Sequence, residues 1–229
     1  MLRAVLFDLD DTLFSSTRLT RKARWEACEA MLHAGLPAHS VKEAYLRLQD
    51  IVHRTGSNDA RHFNRLCESY GLKSPEIIVA GRIAYHNAKF ALLYPFPKTE
   101  ESLLALSKAG LKLGIVTNGL VEKQWEKILR LKLRHFFDTV VISGSARPKD
   151  KRPLLRRALR ELHVPAREAA YVGDKLKTDI AAANSLGMVS VRFIPPGDAQ
   201  KPGKGEKPAH TIRSLAELAS LLPTRTRER

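Results

Sequence analysis

Four short segments of the chain end in residues that can do chemistry. Ala4-Val5-Leu6-Phe7 runs into Asp8-Leu9-Asp10-Asp11-Thr12, a second apolar run ends in Thr117-Asn118-Gly119, Lys149 follows a third, and Gly173-Asp174, with Asp179 soon after, follows a fourth. Asp8 and Asp10 are two apart, so on extended backbone their side chains point the same way. Like charges that close need a counter-charge, and oxygen ligands of this kind suit Mg²⁺. Asp174 can supply a further oxygen from a neighbouring strand end. A carboxylate beside a divalent cation is poised to attack phosphorus and form an aspartyl-phosphate. Its partner can protonate the leaving oxygen and then deprotonate the water that cleaves the intermediate. A phosphoryl group in transfer spreads charge over its equatorial oxygens, and the Thr117 hydroxyl, the Asn118 backbone N–H and Lys149 are the donors and cation that fit it.

Such residues need a scaffold that brings four distant segments together. Short apolar runs at 4–7, 111–117, 139–143, 169–172 and 188–194 read as buried strands, separated by helical patterns at 99–109, 121–132, 152–163 and 177–186. This alternation predicts an α/β fold, a doubly wound parallel sheet with helices on both faces. In that architecture ligands bind beyond the carboxyl ends of the strands, where the residues above stand. Residues 17–94 have a different character, helical throughout. Ser40 with Glu43 marks one helix start, and Ser74-Pro75 opens a long helix to about residue 93. On that helix two apolar arcs flank a seam of Arg82, His86 and Lys89, which predicts a helix buried on most sides. Residues 195–209 read as a loop, and 214–222 as a last helix.

The chain of 229 residues carries 39 Lys and Arg against 24 Asp and Glu, a net charge of +15. Residues 130–160 are especially basic, a field that draws anions. Much of it has a simple reading. Leu154, Leu155, Ala158, Leu159 and Leu162 make an apolar helix face, which puts Arg156, Arg157 and Arg160 on the solvated side. Cys28 and Cys67 form no metal-ligand pattern and read as reduced, buried thiols. No long uncharged apolar run occurs, so the expected protein has no membrane partner, no cleaved leader and a cytoplasmic location.

Taken in order, the set resembles the haloacid dehalogenase (HAD) superfamily of phosphotransferases. Asp8-Leu9-Asp10-Asp11-Thr12 matches its first motif, Thr117-Asn118 the second, Lys149 the third, and Gly173-Asp174 through Asp179 the fourth. The helical insert resembles that superfamily's α-helical cap, giving expected domains of 1–16 with 95–229 for the catalytic core and 17–94 for the cap. Gly56-Ser57-Asn58, Tyr85-His86-Asn87 and Gln124-Trp125-Glu126-Lys127-Ile128-Leu129 resemble its archaeal glyceraldehyde-3-phosphate phosphatase-like members.

The resemblance implies Asp8 as nucleophile, Asp10 as acid and base, and Thr117, Asn118 and Lys149 as phosphate ligands. It gives Mg²⁺ to Asp8, the Asp10 carbonyl and Asp174, with Asp179 in support. The third motif departs from the usual Lys-Pro-Asp/His-Pro. The chain reads Arg147-Pro148-Lys149-Asp150-Lys151-Arg152-Pro153, where counting back from Ala158-Leu159 selects Lys149 and leaves Arg147 and Lys151 open. The expected activity is a Mg-dependent phosphatase acting on a small phosphorylated metabolite. A sugar phosphomutase and a non-catalytic nucleic-acid-binding protein on the same fold are the alternatives. Nucleic acid is disfavoured despite the charge, because a non-catalytic descendant has no physical need for converging carboxylates. A homo-oligomer stays open.

Overall fold

The computed structural model describes residues 1–145, 150–197 and 206–221. The chain divides into two compact units, Met1–Ser15 with Tyr94–Arg229, and Ser16–Leu93. The second is all helical: α1 (Ser16–His33), α2 (Val41–Thr55), α3 (His62–Glu68) and α4 (Pro75–Ala91). The Ser40 hydroxyl accepts from the Glu43 N–H and the Ser74 hydroxyl from the Ile77 N–H, so both sequence caps start helices. The core of this unit gathers Ala27, Cys28, Met31, Leu48, Leu66, Cys67 and Ile77. Both thiols are free and buried, and burial pushes the Cys28 thiol up to about 12.

Helix α4 departs from the expectation of a helix buried on most sides. Ile77, Ile78, Gly81 and Ala88 are buried, but Val79, Ile83 and Phe90 are 47%, 56% and 69% exposed. Within its unit α4 packs against α1 and α3, which together cover one face. In the polar seam Arg82 donates to Asn64 Oδ1 at 2.9 Å, and the Lys89 ammonium lies 5.5 Å from the Tyr85 ring centroid.

The other unit is built on a six-stranded sheet in the order β3-β2-β1-β4-β5-β6. Its strands are β1 (Ala4–Phe7), β2 (Lys112–Thr117), β3 (Thr139–Ile142), β4 (Ala169–Gly173), β5 (Val189–Phe193) and β6 (His210–Ile212). Every pairing is parallel. β1 and β4 are buried along their whole length, as expected of central strands covered on both faces. Helices α5 (Thr99–Lys108), α6 (Val121–Arg130), α7 (Arg152–Leu162), α8 (Ala181–Ser185) and α9 (Leu218–Leu221) complete this doubly wound unit. On α7, Leu155, Ala158, Leu159 and Leu162 are buried and Arg156, Arg157 and Arg160 are exposed, so this basic stretch is a solvated helix face.

Two local elements differ from the sequence reading. The pattern at 177–186 is a π-helical turn, Leu176–Ile180, followed by the short α8. Strand β6 lacks any alternation to announce it, being three residues long and specified by pairing with Val191–Phe193. Among the described residues no helix is long and apolar enough to cross a membrane.

Candidate active site

The strand order reverses at β1, whose neighbours β2 and β4 come from opposite halves of the unit. The crevice at such a reversal, beyond the carboxyl ends of the strands, is where this sheet type binds ligands. Phe7 pairs in register with Ile115 on one side and Val172 on the other, and the Asp8 N–H still donates to the Val172 carbonyl at 2.9 Å. Asp8, Thr117 and Asp174 therefore leave three adjacent strand ends together. All three are buried.

One lysine organises the carboxylates. Lys151 Nζ lies 2.9 Å from Asp8 Oδ1 and 2.7 Å from Asp179 Oδ1, and its side chain is 3% exposed. It immediately precedes α7, and its ammonium sits 5.4 Å from the ring centroid of the fully buried Tyr171. Burial alone would lower the Lys151 pKa, but Asp8 and then Asp179 outweigh it and hold the ammonium charged. Asp8 is pushed the other way. Burial raises its pKa, and Lys151 offsets only part of that rise.

Asp179 comes from the π-helical turn, a local widening often found at functional sites. Its Oδ2 accepts from the Lys175 N–H at 3.0 Å, so both its oxygens are taken. Gly173 makes room for it, since a Cβ there would stand 2.6 Å from the Asp179 Cβ.

Asp8, Asp174 and Asp179 each offer a carboxylate oxygen, and these atoms all lie within 4.8 Å of one another. Asp174 Oδ1 is buried with no hydrogen-bond partner among the described residues, and its nearest cation, Lys175 Nζ, is 3.5 Å away. Burial, seconded by Asp179 and Asp8, pushes Asp174 up to about 7 against an ordinary 3.8. Three carboxylates facing two ammonium groups, with an oxygen left unsatisfied, fit an oxygen-coordinated cation. A stability consequence follows for metal-free protein. Its folded form binds a proton at Asp174 more readily than its unfolded form, so the stability this group contributes is lost as pH rises from 3.8 to about 7. Melting temperatures in EDTA should decline across that interval, and Mg²⁺ should restore them above it. A flat profile in EDTA, or no response to Mg²⁺, would contradict this reading.

The other expected residues are held differently. β1 ends at Phe7, the chain bends at Leu9, and Asp10 forms an isolated parallel bridge with Phe14, so Asp8 and Asp10 do not lie on one continuous strand. The chain turns through Asp11 at φ 59, and Asp10 has a cation of its own. Lys127 Nζ donates to Asp10 Oδ1 at 2.7 Å and to Oδ2 at 2.8 Å. Asp8 and Asp10 thus have separate counter-charges. Thr12 Oγ1 and Asn118 Oδ1 are buried without hydrogen-bond partners among the described residues.

Lys149 lies outside the described residues, as does Arg147. Of the three cations left open by the sequence, Lys151 is the one seen against Asp8. In the sequence Lys127 stands out only as part of a resemblance. A signal for its segment was present, since Gln124 sits four residues before Ile128 on the buried stripe of an otherwise amphipathic helix. A glutamine there needs a polar partner.

The sequence profile of the haloacid dehalogenase-like hydrolases matches residues 5–193. The chain belongs to that family. A glyceraldehyde 3-phosphate phosphatase of Methanopyrus kandleri is 47% identical over 198 residues, covering 84% of each chain. One of Methanocaldococcus jannaschii is 40% identical over 226 residues, covering 97% of each. Among solved structures, a HAD phosphatase from Thermococcus onnurineus aligns with a TM-score of 0.67 at 27% identity, over 96% of this chain and 97% of that one. Membership in the haloacid dehalogenase-like hydrolases makes this protein an enzyme, and its buried acidic cluster stands beyond the carboxyl ends of β1 and β4.

Proposed function

We propose that the protein is a cytoplasmic, Mg²⁺-dependent phosphatase that hydrolyses a small phosphorylated metabolite, with glyceraldehyde 3-phosphate as its substrate. The observation that carries the reading is the buried Lys151 shared by Asp8 and Asp179 beside the unsatisfied Asp174. The substrate follows from the relatives of Methanopyrus and Methanocaldococcus named for that activity. The helical unit Ser16–Leu93 is assigned the part of the family's cap.

Asp8 is the nucleophile. Lys151 engages its Oδ1 and leaves Oδ2 as the oxygen that attacks phosphorus. Asp8, the Asp10 carbonyl and Asp174 would hold the cation, and Asp179, both oxygens engaged, orients Lys151. When bound, Mg²⁺ neutralises phosphate charge that the carboxylates would otherwise repel. The Thr117 hydroxyl, the Asn118 N–H and Lys151 bind the transferring phosphoryl oxygens, with Lys151 taking the part expected of Lys149. Asp10 gives a proton to the leaving oxygen as the Asp8–phosphorus bond forms. It then takes one from the water whose oxygen displaces Asp8.

The test is a panel of phosphorylated metabolites assayed for phosphate release with Mg²⁺ and with EDTA. Glyceraldehyde 3-phosphate should be hydrolysed fastest, with activity lost in EDTA and regained with Mg²⁺. Absence of phosphate release from the whole panel would refute the reading, and a better substrate would refute only the metabolite named.

A further inference from the structure

Asp10 is tied to its surroundings by a network that no part of the acid–base scheme above requires. Lys127 Nζ bridges its two oxygens and also donates to Gln124 Oε1 at 3.2 Å. The same ammonium stands 5.8 Å from the ring centroid of the buried Phe14. Gln124, itself 4% exposed, donates through Nε2 to Asp10 Oδ2 at 3.2 Å and to the Asn118 carbonyl at 2.7 Å. Its path is cleared by Gly119, at φ +142, where a Cβ would meet Gln124 Nε2 at 2.2 Å. A small residue, a buried amide and a lysine one turn later thus link the Asp10 carboxylate to Asn118, which follows Thr117 at the end of β2.

We propose that Lys127 and Gln124 are positioning residues for Asp10, fixing its carboxylate plane so that Oδ1 is the atom that exchanges the proton. The proposal rests on the reading of Asp10 as acid and base. Among the described residues Oδ2 accepts from two donors, Lys127 and Gln124, whereas Oδ1 accepts from Lys127 alone and keeps a lone pair for chemistry. As the bond from phosphorus to the leaving oxygen breaks, the proton passes from Oδ1 to that oxygen, and Asp10 becomes a carboxylate. Lys127 meets the new negative charge with hydrogen bonds already in place. In the second half Oδ1 takes a proton from the attacking water. Because Gln124 also holds the Asn118 carbonyl, the proton-transferring group and the phosphate-binding loop keep a fixed separation, which oriented catalysis needs.

The experiment compares Lys127→Met, Lys127→Arg and Asp10→Asn in single-turnover phosphorylation of the enzyme. The probes are glyceraldehyde 3-phosphate, whose alkoxide must be protonated to leave, and p-nitrophenyl phosphate, whose phenolate leaves without help. Lys127 is partly exposed on α6, and unchanged melting temperatures should show that its variants fold. Lys127→Met should slow phosphorylation by the alkyl phosphate about 10- to 100-fold, part of the full acid–base contribution, while KM and the aryl rate change little. Lys127→Arg, which keeps the charge, should recover part of the loss. In the Asp10→Asn background, Lys127→Met should cost less than about twofold more, since groups that act through one carboxylate are not additive. Equal losses on both substrates, no loss on either, or full additivity with Asp10→Asn would overturn the proposal. An Asp10→Asn loss insensitive to the leaving group would instead remove the acid role from Asp10 itself.

Discussion

Asp8→Asn should abolish phosphate release, a loss on the order of 10⁴ or more, while the protein stays folded. The amide has nearly the shape of the carboxylate but no charge, so it is no nucleophile towards phosphorus. Folding should survive because the substitution removes one negative charge from a cluster in which three carboxylates face Lys151 and Lys175. Lys151 retains Asp179 at 2.7 Å and is not left as an uncompensated buried charge. The checks are phosphate release under saturating Mg²⁺ and a thermal melt. Near-native turnover in Asp8→Asn would exclude a covalent mechanism at this residue.

The second large effect belongs to Lys151. Replacing it with Met keeps the stem that packs near Tyr171 and removes the ammonium that serves Asp8 and Asp179. Loss of one donor aimed at developing charge typically costs about 10²–10³ in rate. Stability should fall as well, by about 3–5 kcal/mol, because two buried carboxylates lose their shared partner. The neighbouring Arg152, half-exposed and paired with Asp150, provides the contrast. Arg152→Ala should leave both kcat/KM and melting temperature near native. Full activity in Lys151→Met would return the phosphate-binding role to Lys149 or Arg147.

The carboxylates were legible in the sequence because chemistry and fold coincide at them. Apolar runs that stop at Asp8, Thr117 and Asp174 mark both the strand ends and the reactive groups, and a parallel sheet brings strand ends together. The lysine was not legible in the same way. Arg147, Lys149 and Lys151 stand in one short run, and spacing cannot say which is buried. Only the packing of Lys151 between Asp8 and Asp179 selects it.

The Lys127–Asp10 pair is harder still, since its members lie 117 positions apart and meet through tertiary structure. Asp179 was legible as a residue, but not its exact presentation. A π-helical turn differs from an α-helix by a shift in hydrogen bonding that leaves the apolar pattern nearly unchanged. Helix α4 misled in the opposite sense. Its second apolar arc implies burial, yet Val79, Ile83 and Phe90 face outward because its partners in the helical unit cover one side.

In the proposed reaction phosphate passes through the Asp8 carboxylate. Rapid quenching of the Mg²⁺-loaded enzyme with radiolabelled substrate, borohydride reduction of the acyl phosphate and peptide mass spectrometry test it directly. Homoserine should form at position 8 and nowhere else, and only when substrate is present. Full turnover with no reduced residue at position 8, or with the label on another side chain, would contradict it.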